Sequence, residues 1–217
     1  MRYLILTLIL CFTHLTYANP GVFDKAAGGV VAIFGDEHFG SGAVISKNGH
    51  IITNWHVLEG QKNIEVFFAN DKYFDNPKKI RILKHDKERD LALIQLVHAP
   101  RNIQYISISK KLPKVGAEVH AIGHPEGELW SYAKGYVSAH RKNYSSNISE
   151  ESNSEGSSSN FKGDVFQMQT PIYPGNSGGP LLNNHGNLIG INTFSNIENP
   201  TMSFAVTNTE IIRFLLD

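Results

Sequence analysis

A chain of 217 residues, 41% hydrophobic and 18% charged, holds enough apolar material for one β-rich or α/β domain, or two small ones, and is not a disordered segment. Its 20 Lys and Arg balance 20 Asp and Glu, and the isoelectric point is near 7.2. There is therefore no basic field to draw nucleic acid or an anionic membrane surface.

Met1-Arg2 opens onto an apolar run from Tyr3 to Phe12, and small Ala18 follows a few residues later. This is the pattern of a secretory signal over 1–18, cut after Ala18, and the run is short of the about 20 residues that a membrane span needs. A retained anchor is the alternative; a cut leaves 19–217 with no stable membrane span. The single cysteine, Cys11, lies inside this segment behind Leu10, where a lipid-attachment motif has a small residue. Export without disulfides points to a bacterial periplasmic or secreted protein.

Beyond the signal, short β-branched or aromatic runs at 29–34, 42–46, 51–53, 64–68, 80–83 and 91–97 are bounded by Gly, Asn and Asp. Asn48-Gly49 between two of them predicts a hairpin with a type I′ turn. Residues 98–114 form a connection, and a second set of strands follows at 118–122, 131–140, 164–170, 179–182, 188–193 and 202–206. Two sets of six predict a pair of antiparallel barrels, at about 28–98 and 115–206. The polar, serine-rich stretch 143–163 interrupts the second set and is expected to be a flexible surface loop. Its two Asn-x-Ser sites, at Asn143 and Asn147, matter only in a eukaryotic secretory pathway. Thr207-Asn-Thr-Glu210 is a capping box for a short helix over 208–216.

Pro174-Gly-Asn-Ser-Gly-Gly-Pro180 concentrates constrained and permissive backbone around Ser177. Such a loop holds a hydroxyl in the open beside inward-facing amides, the geometry of a nucleophile next to an oxyanion hole. An ordinary turn between strands is the plainer reading. A serine nucleophile needs a base, and the imidazole of His56, just after the apolar strand 51–53, is the candidate among ten histidines. Asp90 ends a charged loop and opens an apolar strand, so its carboxylate can be drawn inward; Asp86, among Lys84, His85 and Lys87, is expected to be exposed. The order His56, Asp90, Ser177 is that of the chymotrypsin arrangement.

With Gly40-Ser-Gly-Ala-Val-Ile-Ser46, Ile52-Thr-Asn-Trp-His-Val57, Asp90-Leu-Ala-Leu-Ile94, Ile122-Gly-His-Pro125, Gly135-Tyr-Val-Ser138 and Gly190-Ile-Asn-Thr193, the chain from Val30 to Val206 resembles the trypsin-like serine proteases, most closely the HtrA/Deg protease domain. The resemblance implies an all-β fold of two packed six-stranded Greek-key barrels within a protease domain at 19–217. It implies a His56–Asp90–Ser177 triad, an oxyanion hole from the amides of Gly175 and Ser177, and protein or peptide substrates. Ile172 and Tyr173 on one side, and Thr193, Phe194 and Ser195 on the other, would border the primary pocket. None of them is acidic, so a small or medium apolar residue is expected before the cleaved bond. Asn176 stands where pancreatic-type zymogens carry an aspartate that pairs with a new N-terminus, so no activation by trimming is expected.

Two departures accompany the resemblance: the PDZ domain usual in that branch is not among these residues, and Pro171-Ile-Tyr-Pro174 is shorter than the family's loop. The branch's trimer and peptide-triggered activation are therefore not carried over, and the oligomeric state is left open. No His-Glu-x-x-His or comparable ligand set occurs, so no metal or cofactor is expected. The rival readings are a catalytically silent protease-fold binding module and a secreted esterase, which would need a strand–nucleophile–helix elbow.

Overall fold

A computed structural model describes residues 21–69, 76–148, 159–195 and 202–217. The proposed signal lies outside them. Among the described residues, twelve strands form two closed antiparallel sheets of six. The first contains β1 (Val30–Phe34), β2 (Phe39–Val44), β3 (His50–Thr53), β4 (Glu65–Phe68), β5 (Lys78–Asp86) and β6 (Leu91–Leu96), in the order β1-β2-β3-β6-β5-β4. The second contains β7 (Glu118–Gly123), β8 (Ser131–Ile148), β9 (Ser159–Met168), β10 (Pro180–Leu182), β11 (Leu188–Ser195) and β12 (Ser203–Thr207), in the order β10-β11-β12-β9-β8-β7. The two-barrel architecture expected from the strand runs is the one observed. Each barrel has its own apolar filling, Val31, Ile33, Ile51 and Ile94 in the first and Val119, Phe166, Met168 and Leu181 in the second. A further cluster, including Val30, Ile52, Leu91, Ile122 and Leu182, joins strands of both.

A helix α1 (Val22–Ala26) precedes the first barrel, and α2 (Asn208–Leu216) closes the chain. Thr207 caps α2 by accepting from the Glu210 amide, as the capping-box pattern predicts. Ile211 and Phe214 are the buried face of α2. Arg89, just before β6, reaches Glu210 and Asp217, so the last helix is tied to the turn that ends in Asp90. The five-residue α1 was not predicted; its start carries a local Asp24-to-Gly21 bond rather than a Ser or Thr cap.

Two local expectations are corrected. The β2–β3 turn is not type I′: among its residues only Gly49 has positive φ, at 74°. Ser46 organises it instead, its carbonyl accepting from Gly49 N and its hydroxyl from Asn48 N. That hydroxyl gives the chain a local partner which the Asn-Gly pair alone does not reveal. The serine-rich segment is also more ordered than a flexible 143–163 loop. β8 continues to Ile148 and β9 starts at Ser159, with 149–158 outside the described residues. Two aromatics hold this long hairpin: Tyr144 stacks on Phe204 with ring centroids 5.1 Å apart, and Phe161 is fully buried against Phe194. Lys162 N also bonds to Glu88 O at 2.7 Å, fastening the hairpin to the first barrel.

Buried polar contacts join the barrels. Ser41 of β2 bonds through its hydroxyl to His124 Nδ1 after β7, at 2.7 Å, and Trp130 Nε1 donates to Val30 O at 3.1 Å. His124 is wholly buried, and burial pushes its imidazole down to about 4. Below the ordinary value of 6.5 the unfolded chain takes a proton that the folded one refuses, so stability is lost as pH falls from there toward 4.

Two measurements follow from this packing. Phe161→Ala should cost about 3–5 kcal/mol in denaturant unfolding, a loss that a loosely held loop would not produce. Between pH ~7 and pH ~5, wild type should lose about 2 kcal/mol that His124→Leu does not lose, measured by urea unfolding at both values; equal slopes would contradict a neutral buried imidazole.

Candidate active site

β3 ends at Thr53, and the chain turns at once through Asn54, Trp55 and His56. His56 is thereby held just past the end of β3, where its amide and Nδ1 both reach Asp90. Asp90 is placed by strain as well as by burial: it adopts φ 51° at the head of β6 and is 1% exposed. Its carboxylate takes three hydrogen bonds. Oδ1 accepts from His56 N at 2.9 Å, and Oδ2 lies 2.7 Å from His56 Nδ1 and 2.8 Å from Thr193 Oγ1. Asn54 Nδ2 donates to the Asp90 carbonyl at 2.8 Å and fixes the backbone as well. Asp86, the competing acid expected to be exposed, is half-buried and accepts instead from Arg89 N and Nη1.

Ser177 comes from the second barrel. Its hydroxyl donates to Thr193 O at 3.1 Å, while its carbonyl accepts from Ser41 N at 2.8 Å. Thr193 thus touches both the serine and the aspartate, one through its carbonyl and the other through its hydroxyl. The resemblance set Thr193 at a pocket wall; in β11 its hydroxyl also bonds Asp90.

The serine loop is seated by two glycines. A β-carbon at Gly178 (φ 82°) would overlap Thr53 Oγ1 and the Ser41 carbonyl, and one at Gly175 (φ 96°) would overlap the His124 carbonyl and Phe39. Glu126 N donates to Pro174 O, Asn176 N to Tyr173 O and Gly179 N to Asn176 O. Among the described residues, the amides of Gly175 and Ser177 donate to no protein acceptor. Two uncommitted N–H groups flank the serine, as an anion site requires.

The other expected site residues are scattered in role. Tyr173 is 48% exposed, whereas Ile172 is buried with Val119, Val137 and Met168 in the second-barrel filling. Phe194 stacks on Phe204 at 4.8 Å and meets Phe161 edge-on, with Ser195 beside it half-buried. Ile172 and Phe194 thus place most of their apolar surface against the barrel. Among the described residues, no group of three His, Cys, Asp or Glu is arranged to hold a metal ion.

Residues 40–191 match the family model described as a trypsin-like peptidase domain. Protease Do-like 1 of the Arabidopsis thaliana chloroplast is 37% identical over 157 residues, covering 71% of this chain and 32% of its own length. A Haemophilus influenzae protein described as a "Probable periplasmic serine protease do/HhoA-like" is 36% identical over 157 residues, 71% of this chain and 30% of that one. The chain spans about a third or less of the length of these curated relatives. The active form of the Rv3671c protease from M. tuberculosis superposes with a TM-score of 0.77 at 23% identity, over 90% of this chain and 82% of that one. The serine endoprotease from Yersinia pestis gives 0.72 at 26% identity, over 90% and 64%. With the family model matched across more than half of its residues, this HtrA/Deg-like chain belongs to the trypsin-like peptidase family.

Proposed function

We propose that the chain is an exported serine endopeptidase in which His56, Asp90 and Ser177 form the catalytic triad. The observation that carries this reading is the buried Asp90 carboxylate bonded to both His56 Nδ1 and Thr193, whose carbonyl in turn holds the Ser177 hydroxyl. In the reaction, Ser177 Oγ turns from Thr193 toward His56, gives up its proton to Nε2 and attacks the peptide carbonyl. Catalytic contacts of this kind commonly tighten only when substrate is bound. Asp90 keeps Nδ1 protonated, and so leaves Nε2 as the base; it then stabilises the imidazolium. The amides of Gly175 and Ser177 receive the oxyanion, and His56 returns the proton to the leaving amine.

Substrates are proteins or peptides, with a small or medium apolar residue before the cleaved bond. Support comes from the absence of a carboxylate for Lys or Arg among the assigned border residues, of which Tyr173 and Ser195 keep exposed surface. Export through the 1–18 signal to the periplasm or beyond accords with the description of the Haemophilus relative. Among the described residues, no helix is long and apolar enough to cross a membrane. The neutral amide of Asn176 supports activity that needs no newly cut terminus.

A fluorophosphonate probe should label wild type and leave Ser177→Ala unlabelled; equal labelling would return the chain to the silent binding-module reading. Asp90→Asn should retain the fold and lower kcat about 10⁴-fold. A peptide library should be cut after Ala, Val or Leu, and strong Arg or Glu preference would reject the pocket assignment. Proteins beginning at 19 and at 21 should cleave at similar rates, whereas a large gain on exposing one terminus would count against an internally ordered site.

A further inference from the structure

A second serine–histidine pair lies behind the loop that carries Ser177. Ser41 Oγ is 2.6 Å from the Gly175 carbonyl and 2.7 Å from His124 Nδ1, and both side chains are wholly buried. The direction of these bonds follows from valence. A carbonyl only accepts, so the one hydroxyl proton of Ser41 goes to Gly175 O. His124 Nδ1 must then be the donor to Ser41 Oγ. His124 Nε2, which is buried and has no hydrogen-bond partner among the described residues, is left as a bare lone pair. Trp130 packs edge-on against the imidazole at 4.8 Å and leaves it no aqueous side. Burial, which lowers the basicity of His124, favours the same neutral imidazole.

From these contacts we infer that His124 and Ser41 are positioning residues for the oxyanion hole, a relay His124 Nδ1–H to Ser41 Oγ–H to Gly175 C=O that holds the Gly175–Asn176 peptide, the link between the amides of Gly175 and Ser177. The inference rests on the endopeptidase reading. The Gly175–Asn176 peptide is pinned on both edges, its oxygen by Ser41 and its N–H by Tyr173 O at 2.9 Å. The preceding peptide is pinned through Pro174 O by Glu126 N at 2.8 Å, which turns the Gly175 N–H the opposite way. Gly175 at φ 96° has no β-carbon to resist a peptide flip, so the orientation depends on these bonds. Asn176 has no charge with which to hold the loop through an ion pair. The relay is internal to the fold and supplies the order that an ion pair at that position would supply.

The test uses the whole chain with a peptide substrate and a peptide aldehyde, whose adduct places an oxyanion in the hole. Ser41→Ala and His124→Leu should each lower kcat about 10- to 100-fold and weaken aldehyde binding in parallel, with KM little changed. The double variant should be no worse than the poorer single one, since both break one relay. His124→Asn, which keeps a donor near the Nδ1 position, should recover most of kcat. If His124→Leu does not fold, Ser41→Ala carries the kinetic test. Heteronuclear NMR of nitrogen-labelled histidine should find His124 protonated on Nδ1 and bare on Nε2. A proton on Nε2, or single variants with wild-type kcat and aldehyde affinity, overturns the relay. Wild type that neither cleaves peptide nor takes the fluorophosphonate overturns the endopeptidase reading instead, and the tautomer measurement is independent of that result.

Discussion

One buried carboxylate holds the site together. Asp90 lies in the seam between the barrels and is reached from the first by two nitrogens of His56 and from the second by Thr193. Taking a charge out of water costs several kcal/mol, which is offset only where its oxygens are satisfied by well-directed donors. Three bonds to the carboxylate meet that condition; the two from His56 are made within the first barrel, and the third, from Thr193, requires the barrels to be docked. Asp90 also stands in the left-handed region, an unfavourable conformation for a side-chain-bearing residue that persists because its surroundings over-determine it. Arg89, one residue earlier, is bound to Asp86, Glu210 and Asp217, so the turn is braced from the last helix as well.

Around that carboxylate the serine loop is shaped by exclusion. Gly178 fits under Thr53 and Ser41 only because it lacks a side chain, and Gly175 fits against the His124 carbonyl for the same reason. Seating the loop on backbone atoms leaves the amides on its open side without internal partners. Directional order of the donors is thus obtained from packing behind them, which leaves their front free for substrate.

Much of this was legible along the chain because its signals are local. Strand runs rich in Val and Ile, the capping box before α2 and the glycine-rich serine loop each encode their own conformation over a few residues. His56 and Asp90 could be picked out because each stands where an apolar strand meets a loop. What escaped depends on distant partners. Nothing in the serine-rich segment announces that Tyr144 will stack on Phe204 or that Phe161 will lie against Phe194. The bond between Ser41 and His124 joins residues 83 positions apart and is invisible to any periodic pattern. The resemblance set Thr193 and Ile172 beside the pocket but said nothing of their contacts with Asp90 and with the barrel filling. The β2–β3 turn failed for a smaller reason, one hydroxyl on Ser46 outbidding the geometry that Asn-Gly favours.

The division of the site between barrels has a consequence for the order of events in synthesis. His56 and Asp90 are translated with the first barrel, while Ser177, Thr193 and the strands that fix them come near the end of the chain. The glycine contacts that seat the serine loop are made to Thr53 and Ser41 of the earlier barrel, so neither half contains a formed loop or a satisfied carboxylate by itself. The first barrel is therefore made before the serine loop and the Thr193 hydroxyl exist, and the candidate site comes together only when the second barrel docks on it.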